Sequence, residues 1–120
     1  MTGSVGYHAG RVAEDIVERD YLQRNCRPLA RRWRGHSGEI DLILRDTDGA
    51  GLIFVEVKKS KSFGQASRKL GPRQMERICS AASEFLANEP CGQLTDLRFD
   101  VALVNGAGQV QVIENAFTGM

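Results

Sequence analysis

Asp41, Glu56 and Lys58 are the residues of this chain whose types and spacing could do chemistry. They lie in two apolar runs, Gly38-Glu39-Ile40-Asp41-Leu42-Ile43 and Phe54-Val55-Glu56-Val57-Lys58. Charge inside such runs is costly unless a cation or a partner compensates it. Between them lies Arg45-Asp46-Thr47-Asp48-Gly49-Ala50-Gly51, and Asp-Gly between apolar runs is a strong hairpin signal. A two-residue turn at Asp48 and Gly49 sets Asp41 directly opposite Glu56, and Glu39 opposite Lys58, with all four side chains on one face. Two facing carboxylates repel, so the arrangement points to a bound divalent cation, which takes hard oxygen ligands. A plainer alternative makes Glu39–Lys58 a structural ion pair and Asp41 a strand-end cap.

That register depends on the elements around it. A loop one residue longer on one side would send the two acids to opposite faces. In the aligned register Ile43, Leu52 and Phe54 share the acidic face, while Ile40, Leu42, Leu44, Ile53, Val55 and Val57 fill the other. Both faces are then largely apolar, which predicts a central strand pair covered by helices on each side. Residues 8–25 predict a helix with Val12, Ile16, Val17 and Tyr21 or Leu22 as its apolar stripe, Glu14 near that stripe and Asn25 as its C-cap. Residues 29–34 predict a short strand ended by Gly35 and Gly38, in which Trp33 reads as a core or edge anchor rather than a base-stacking platform. Residues 60–71 predict a mobile loop, since they show little periodicity. Pro72 sits where a helix N1 proline would, and Met75, Ile78, Cys79, Ala82, Phe85 and Leu86 form a stripe running to about Asn88. Strands at 97–104 and 109–113 follow, with Asp100 expected to make structural hydrogen bonds. The order is helix, three strands, helix, two strands, which means a mixed sheet with helices packed on it.

Composition bounds the possibilities. A chain of 120 residues suits one domain, residues 1–120, with one real core. The first residues, Met1 to His8, lack a basic segment and an apolar core, so no secretory signal is expected. No apolar run is long enough to cross a bilayer. Cys26, Cys79 and Cys91 are far apart and odd in number, which suits neither a disulfide framework nor a zinc site. A cytoplasmic protein with simple buried or surface thiols is the expectation. The formal net charge of +1 hides an uneven distribution. Arg24, Arg27, Arg31, Arg32 and Arg34 form one basic segment, and Lys58, Lys59, Lys61, Arg68, Lys69, Arg73 and Arg77 a second with Glu76 as its one acid. Either alone reads as solvated surface; together, flanking the acidic hairpin, they predict a phosphate-binding face.

An acid in one strand followed by Glu-x-Lys in the next resembles the PD-(D/E)xK nuclease signature, with Ile40 where the proline would stand. The chain also resembles, more closely, the YraN-like family of small bacterial proteins, related in fold to Holliday-junction resolvases. The matching features are Glu14 in the first helix, Ala30-Arg31-Arg32-Trp33-Arg34, Gly38 to Ile43, Phe54 to Lys58, Phe85-Leu86 and Arg98-Phe99-Asp100-Val101. Gln74 stands where that family usually has a lysine, Ala13 where it has glycine, and Lys59 where threonine is common. The resemblance implies an α/β restriction-endonuclease-like core of order αβββαβ, with a mixed central sheet flanked by helices.

It also implies a chemistry: divalent-metal-dependent hydrolysis of phosphodiesters with Mg2+ or Mn2+. Asp41, Glu56 and the main-chain carbonyl of Val57 would hold the ion, and Glu14 would complete its shell. Lys58 would position the attacking water or stabilise developing charge. Glu39 pairs with Lys58 or stands behind the ligands, as does Gln74. The nucleic acid, expected to be DNA in branched or single-stranded form, would meet Arg31, Arg32, Arg34, Lys59, Lys61, Arg68, Lys69 and Arg73. Resolvase-like enzymes work as dimers, so a homodimer is expected by analogy. Two other classes compete: a non-catalytic nucleic-acid-binding module that keeps the nuclease fold, and an adaptor whose hairpin acids are structural.

Overall fold

The computed structural model describes residues 2–49 and 51–117, and the side chains among these from Gly10 onward. Ala50, in the predicted hairpin loop, lies outside the described residues, as does Met1. Helix α1 spans Thr2–Gln23, followed by strands β1 (Arg27–Arg34), β2 (Glu39–Arg45) and β3 (Leu52–Lys59). Helices α2 (Phe63–Ser67) and α3 (Pro72–Leu86) and a short 3-10 turn at Gly92–Leu94 lead to β4 (Leu97–Val104) and β5 (Val110–Phe117). The five strands form one mixed sheet in chain order, antiparallel except for the parallel β3–β4 pair. The expected order is therefore present. Among the described residues no helix is long and apolar enough to cross a membrane.

The two faces of the sheet carry separate apolar layers. On one, Ala13, Val17 and Tyr21 of α1 pack on Leu42, Leu44, Ile53, Val55, Ala102 and Val104. On the other, Ile78, Ala81, Ala82 and Leu86 of α3 cover Ile40, Ile43, Leu52, Phe54 and Phe99. The buried stripe of α1 recurs every fourth residue, so it is narrower than expected. Val12 and Leu22 fall off its sides and are 52% and 47% exposed. The helix begins earlier than residue 8 and ends as expected at Asn25, whose φ of 65° is left-handed. There Cys26 N–H reaches Tyr21 C=O and Asn25 N–H reaches Leu22 C=O, a Schellman closure.

Four further expectations need correction. Strand β1 starts at Arg27, two residues early, and its register shifts between Pro28 and Ala30; on an edge strand a bulge absorbs the proline. The β2–β3 turn is wider than two residues, closed by Asp46 N–H on Gly51 C=O. Because the loop stays symmetric, Leu42 still faces Val55 and Arg45 still faces Leu52, as the predicted register requires. Residues 60–71 are not a loose loop: Ser62 caps α2 through Gln65 N–H, and buried Ala66 packs with Phe63 and Leu70 on Val101 and Leu103. The spacing of these three apolar residues was the helical signal hidden among the basic ones. Strand β5 extends past Ile113 to Phe117, whose ring stacks on Phe99 at 4.9 Å.

The layers are pinned by one buried acid. Asp100 is fully buried and accepts from Tyr21 Oη at 2.7 Å, Arg98 Nε at 3.1 Å and the main-chain N–H of Asn115 at 3.0 Å. It has the structural role expected of it, joining α1, β4 and β5. Burial and the neighbouring carboxylate push the Tyr21 phenol well above its ordinary range. Asp100→Ala strands these donors without their acceptor, and we expect a loss of about 3–5 kcal/mol in urea unfolding. A loss below about 1 kcal/mol would show that the network is dispensable.

Candidate active site

The site arises where β2 and β3 part. Their ladder is regular from Arg45/Leu52 to Leu42/Val55 and stops there. One step further, Asp41 Oδ2 accepts the Val57 N–H at 2.8 Å, so a side chain replaces a main-chain carbonyl in the ladder. This wedge opens the strand ends, and Ile40 consequently packs on the α3 side rather than with Leu42 as the strict alternation predicted. The carboxyl of Asp41 meets that of Glu56, which is 5% exposed. Burial, and then the charge and hydrogen bond of Asp41, push the Glu56 carboxyl up to about 9, against a smaller lowering by Lys58. The Glu56 carboxyl is therefore held in its protonated form at neutral pH.

Two donors complete the group. Lys58 Nζ lies 3.5 Å from Glu56 Oε1, since residues two apart on a strand share a face. Gln74 Nε2 donates to the same oxygen at 3.2 Å, brought in by the first turn of α3. Asp41, Glu56, Lys58 and Gln74, all singled out from the sequence, therefore stand together. The Asp41 and Glu56 carboxyl oxygens are hard ligands on one side of the parted strands, which suits a divalent cation such as Mg2+ that keeps several of its waters. Val57 links Glu56 to Lys58, which puts its main-chain carbonyl in the same stretch of strand.

Other expected members lie elsewhere. Glu14 is buried beside Arg32 Nε at 2.9 Å and Arg31 Nη2 at 3.4 Å. Among the described residues no three His, Cys, Asp or Glu side chains group closely enough to hold a metal, so Glu14 does not join the acid pair here. Arg31 also pairs with Asp15 at 2.7 Å and Glu18 at 3.3 Å. Arg31 and Arg32 thus serve the β1–α1 contact, because α1 brings its own acids to the edge strand. Glu39 pairs with Arg34 at 3.0 Å across β1 and β2, not with Lys58; the opened strand ends carry Lys58 toward Glu56 instead. Lys59, Lys61, Arg68 and Arg73 are exposed around α2 and the start of α3, while the Lys69 ammonium donates to the Lys59 carbonyl at 2.6 Å. Sequence reasoning missed Glu84, whose carboxylate takes the main-chain N–H groups of His36 and Ser37 and ties α3 to the β1–β2 turn. Nothing in its spacing announces that contact.

A profile described as uncharacterised protein family UPF0102 matches residues 13–104. The chain belongs to this family. The matched stretch includes Glu14, Asp41, Glu56, Lys58 and Gln74 and ends with β4. A UPF0102 protein of Cereibacter sphaeroides is 63% identical over 98% of both chains. One of Ruegeria pomeroyi is 54% identical over 96% of this chain and 92% of its own. Among solved structures, an EndoMS-dsDNA2 complex aligns with a TM-score of 0.37 and 24% identity, over 68% of this chain and 30% of that one.

The raised Glu56 carboxyl makes this UPF0102 protein's stability depend on pH. Its folded form holds the proton more tightly than the unfolded chain, so the contribution is complete below about 4.5 and is lost as pH rises toward about 9. In EDTA, the urea midpoint should fall across that range, and Glu56→Gln, neutral throughout, should flatten the fall. An unchanged pH slope in the variant would place the proton elsewhere.

Proposed function

We propose that this UPF0102 protein is a divalent-metal-dependent endonuclease of the PD-(D/E)xK type, hydrolysing phosphodiester bonds in DNA, on branched or single-stranded substrates. One observation carries the reading: the Asp41 and Glu56 carboxyls meet at parted strand ends, with Lys58 Nζ 3.5 Å from Glu56. The buried Glu56 carboxyl is kept ionised beside Asp41 only at a cost, which a bound counter-ion would offset.

Asp41, Glu56 and the Val57 carbonyl would hold Mg2+ or Mn2+. When bound, the ion would polarise the scissile phosphate and make a nearby water more acidic. Asp41 is already oriented by the Val57 N–H. Glu56 would serve as a ligand in its ionised form, its proton passing to solvent, and the Gln74 amide, already on its Oε1, would hold the carboxylate in place. The Lys58 ammonium, 3.5 Å from Glu56, would position the attacking water and offset charge developing on the phosphate. Lys59, Lys61, Arg68, Arg73 and Arg34 provide phosphate contacts around the site, and a homodimer would present two such sites to a two-fold substrate.

A second reading has its own observation. No third acid joins the pair among the described residues, and Glu14 is neutralised by Arg31 and Arg32. This favours a non-catalytic nucleic-acid-binding module with an incomplete metal site. Incubating the protein with Mg2+ or Mn2+ and linear, single-stranded and branched DNA or RNA separates the two. The nuclease reading expects turnover that falls by at least about 100-fold in Asp41→Ala and Lys58→Ala. Cleavage that survives unchanged in Lys58→Ala overturns it, and salt-sensitive binding without turnover selects the module. Under either reading Arg73→Ala should weaken binding evenly across sequences and reduce the salt slope by about 1, measured by titration at several salt concentrations.

A further inference from the structure

A cavity lies at the β1–β2 turn, and of its lining only Arg34 enters the chemistry above. Its volume is about 360 Å3, and it is lined by Trp33, Arg34, Gly35, His36 and Glu84, within the size range of small-molecule sites. It lies at the acid-pair end of the sheet: Trp33 faces Ile40 across β1 and β2, and Ile40 precedes Asp41. The Trp33 ring is fixed edge-on against Phe85, with centroids 5.4 Å apart and planes at 88°. Glu84 is fixed too, since its two oxygens accept the His36 N–H at 2.9 Å and the Ser37 N–H at 3.1 Å. Gly35 keeps these groups as they are: a Cβ there would meet Glu84 Oε2 at 2.5 Å and Trp33 Cζ3 at 2.9 Å. Any larger residue would displace both walls.

The walls specify a kind of ligand. A carboxylate disfavours a bare anion and favours a group carrying N–H donors. A rigid indole favours a flat, apolar face. Exposed Arg34 and His36 at the rim suit a phosphodiester backbone. A nucleobase within a strand combines all three, but only when unpaired, because pairing occupies its donors and stacking its faces. We propose that this cavity binds one unpaired nucleobase of a nucleic-acid strand, stacked on Trp33 and donating to Glu84, next to the acid pair. This deepens the proposed function by naming a strand with an unstacked base as its substrate, yet base binding itself needs neither metal nor turnover.

Trp33 is the sole tryptophan of the chain, so its emission reports this cavity alone. The probe is a short single-stranded DNA titrated in EDTA, beside a strand of equal length and charge with abasic sites and a blunt duplex of the same sequence. The single strand should quench Trp33 saturably, and the abasic strand should bind at least about tenfold more weakly without quenching. His36→Ala and Arg34→Ala, both at exposed positions, should weaken the quench several-fold while far-ultraviolet dichroism stays unchanged. Asp41→Ala should keep the quench even where cleavage is lost, so failure of the nuclease reading and failure of this one are separate results. Equal quenching by the abasic strand or the duplex, or none by the single strand, overturns the proposal.

Discussion

The Val57 N–H to Asp41 carboxylate bond is the interaction on which the rest of the site depends. A β ladder normally satisfies each main-chain donor with a main-chain acceptor. Here a side chain takes one of those places at 2.8 Å, and the strand ends beyond it cannot close. The opening has three consequences at once. Glu56 reaches Asp41, Lys58 turns toward Glu56, and the first turn of α3 delivers Gln74 to the same oxygen. A regular ladder would instead have aligned Glu39 with Lys58 and left the acids as an ordinary cross-strand pair. The cost of the wedge is borne by the apolar layers on each side, which are continuous beneath it.

Much of this was legible in the sequence, because it rested on two periods. The alternation of β2 and β3 fixed which residues share a face, and loop symmetry preserved the register although the turn itself was wider than read. Apart from α2, the order of elements followed from helical and strand spacing. What could not be read was how charges far apart in the chain would choose each other. Glu14, Arg31 and Arg32 looked like a metal ligand and two phosphate contacts, yet folding α1 over the edge strand pairs them with one another. Glu39 found Arg34 for the same reason, proximity across β1. The α2 helix was obscured because its apolar spacing is short and its surface residues are basic, a composition shared with flexible loops. The strict alternation also failed at Ile40, where a side chain entered the ladder.

The partition of basic residues changes what the surface can do. Arg31 and Arg32 of β1 are committed to helix acids and support the fold, whereas Lys59, Lys61, Arg68 and Arg73 remain exposed near α2. The positive field is therefore stronger on the α2–α3 side of the parted strands than on the α1 side. A polyanion approaching the acid pair would be steered from that direction, and the effect would be screened at high ionic strength.

The Tyr21–Asp100 bond joins residues 79 apart in the chain, whereas the acid pair lies within a single hairpin. Loop closure makes distant pairings slow and local ones fast. The hairpin can therefore acquire its register early, before β4 inserts beside β3 and α1 is locked down through Asp100. The same ordering runs in reverse during partial unfolding: α1 and β5 share the latch and lose it together, while the hairpin retains its own contacts. The acid pair and the Asp100 latch thus close over very different chain separations, one within a hairpin and one across most of the chain.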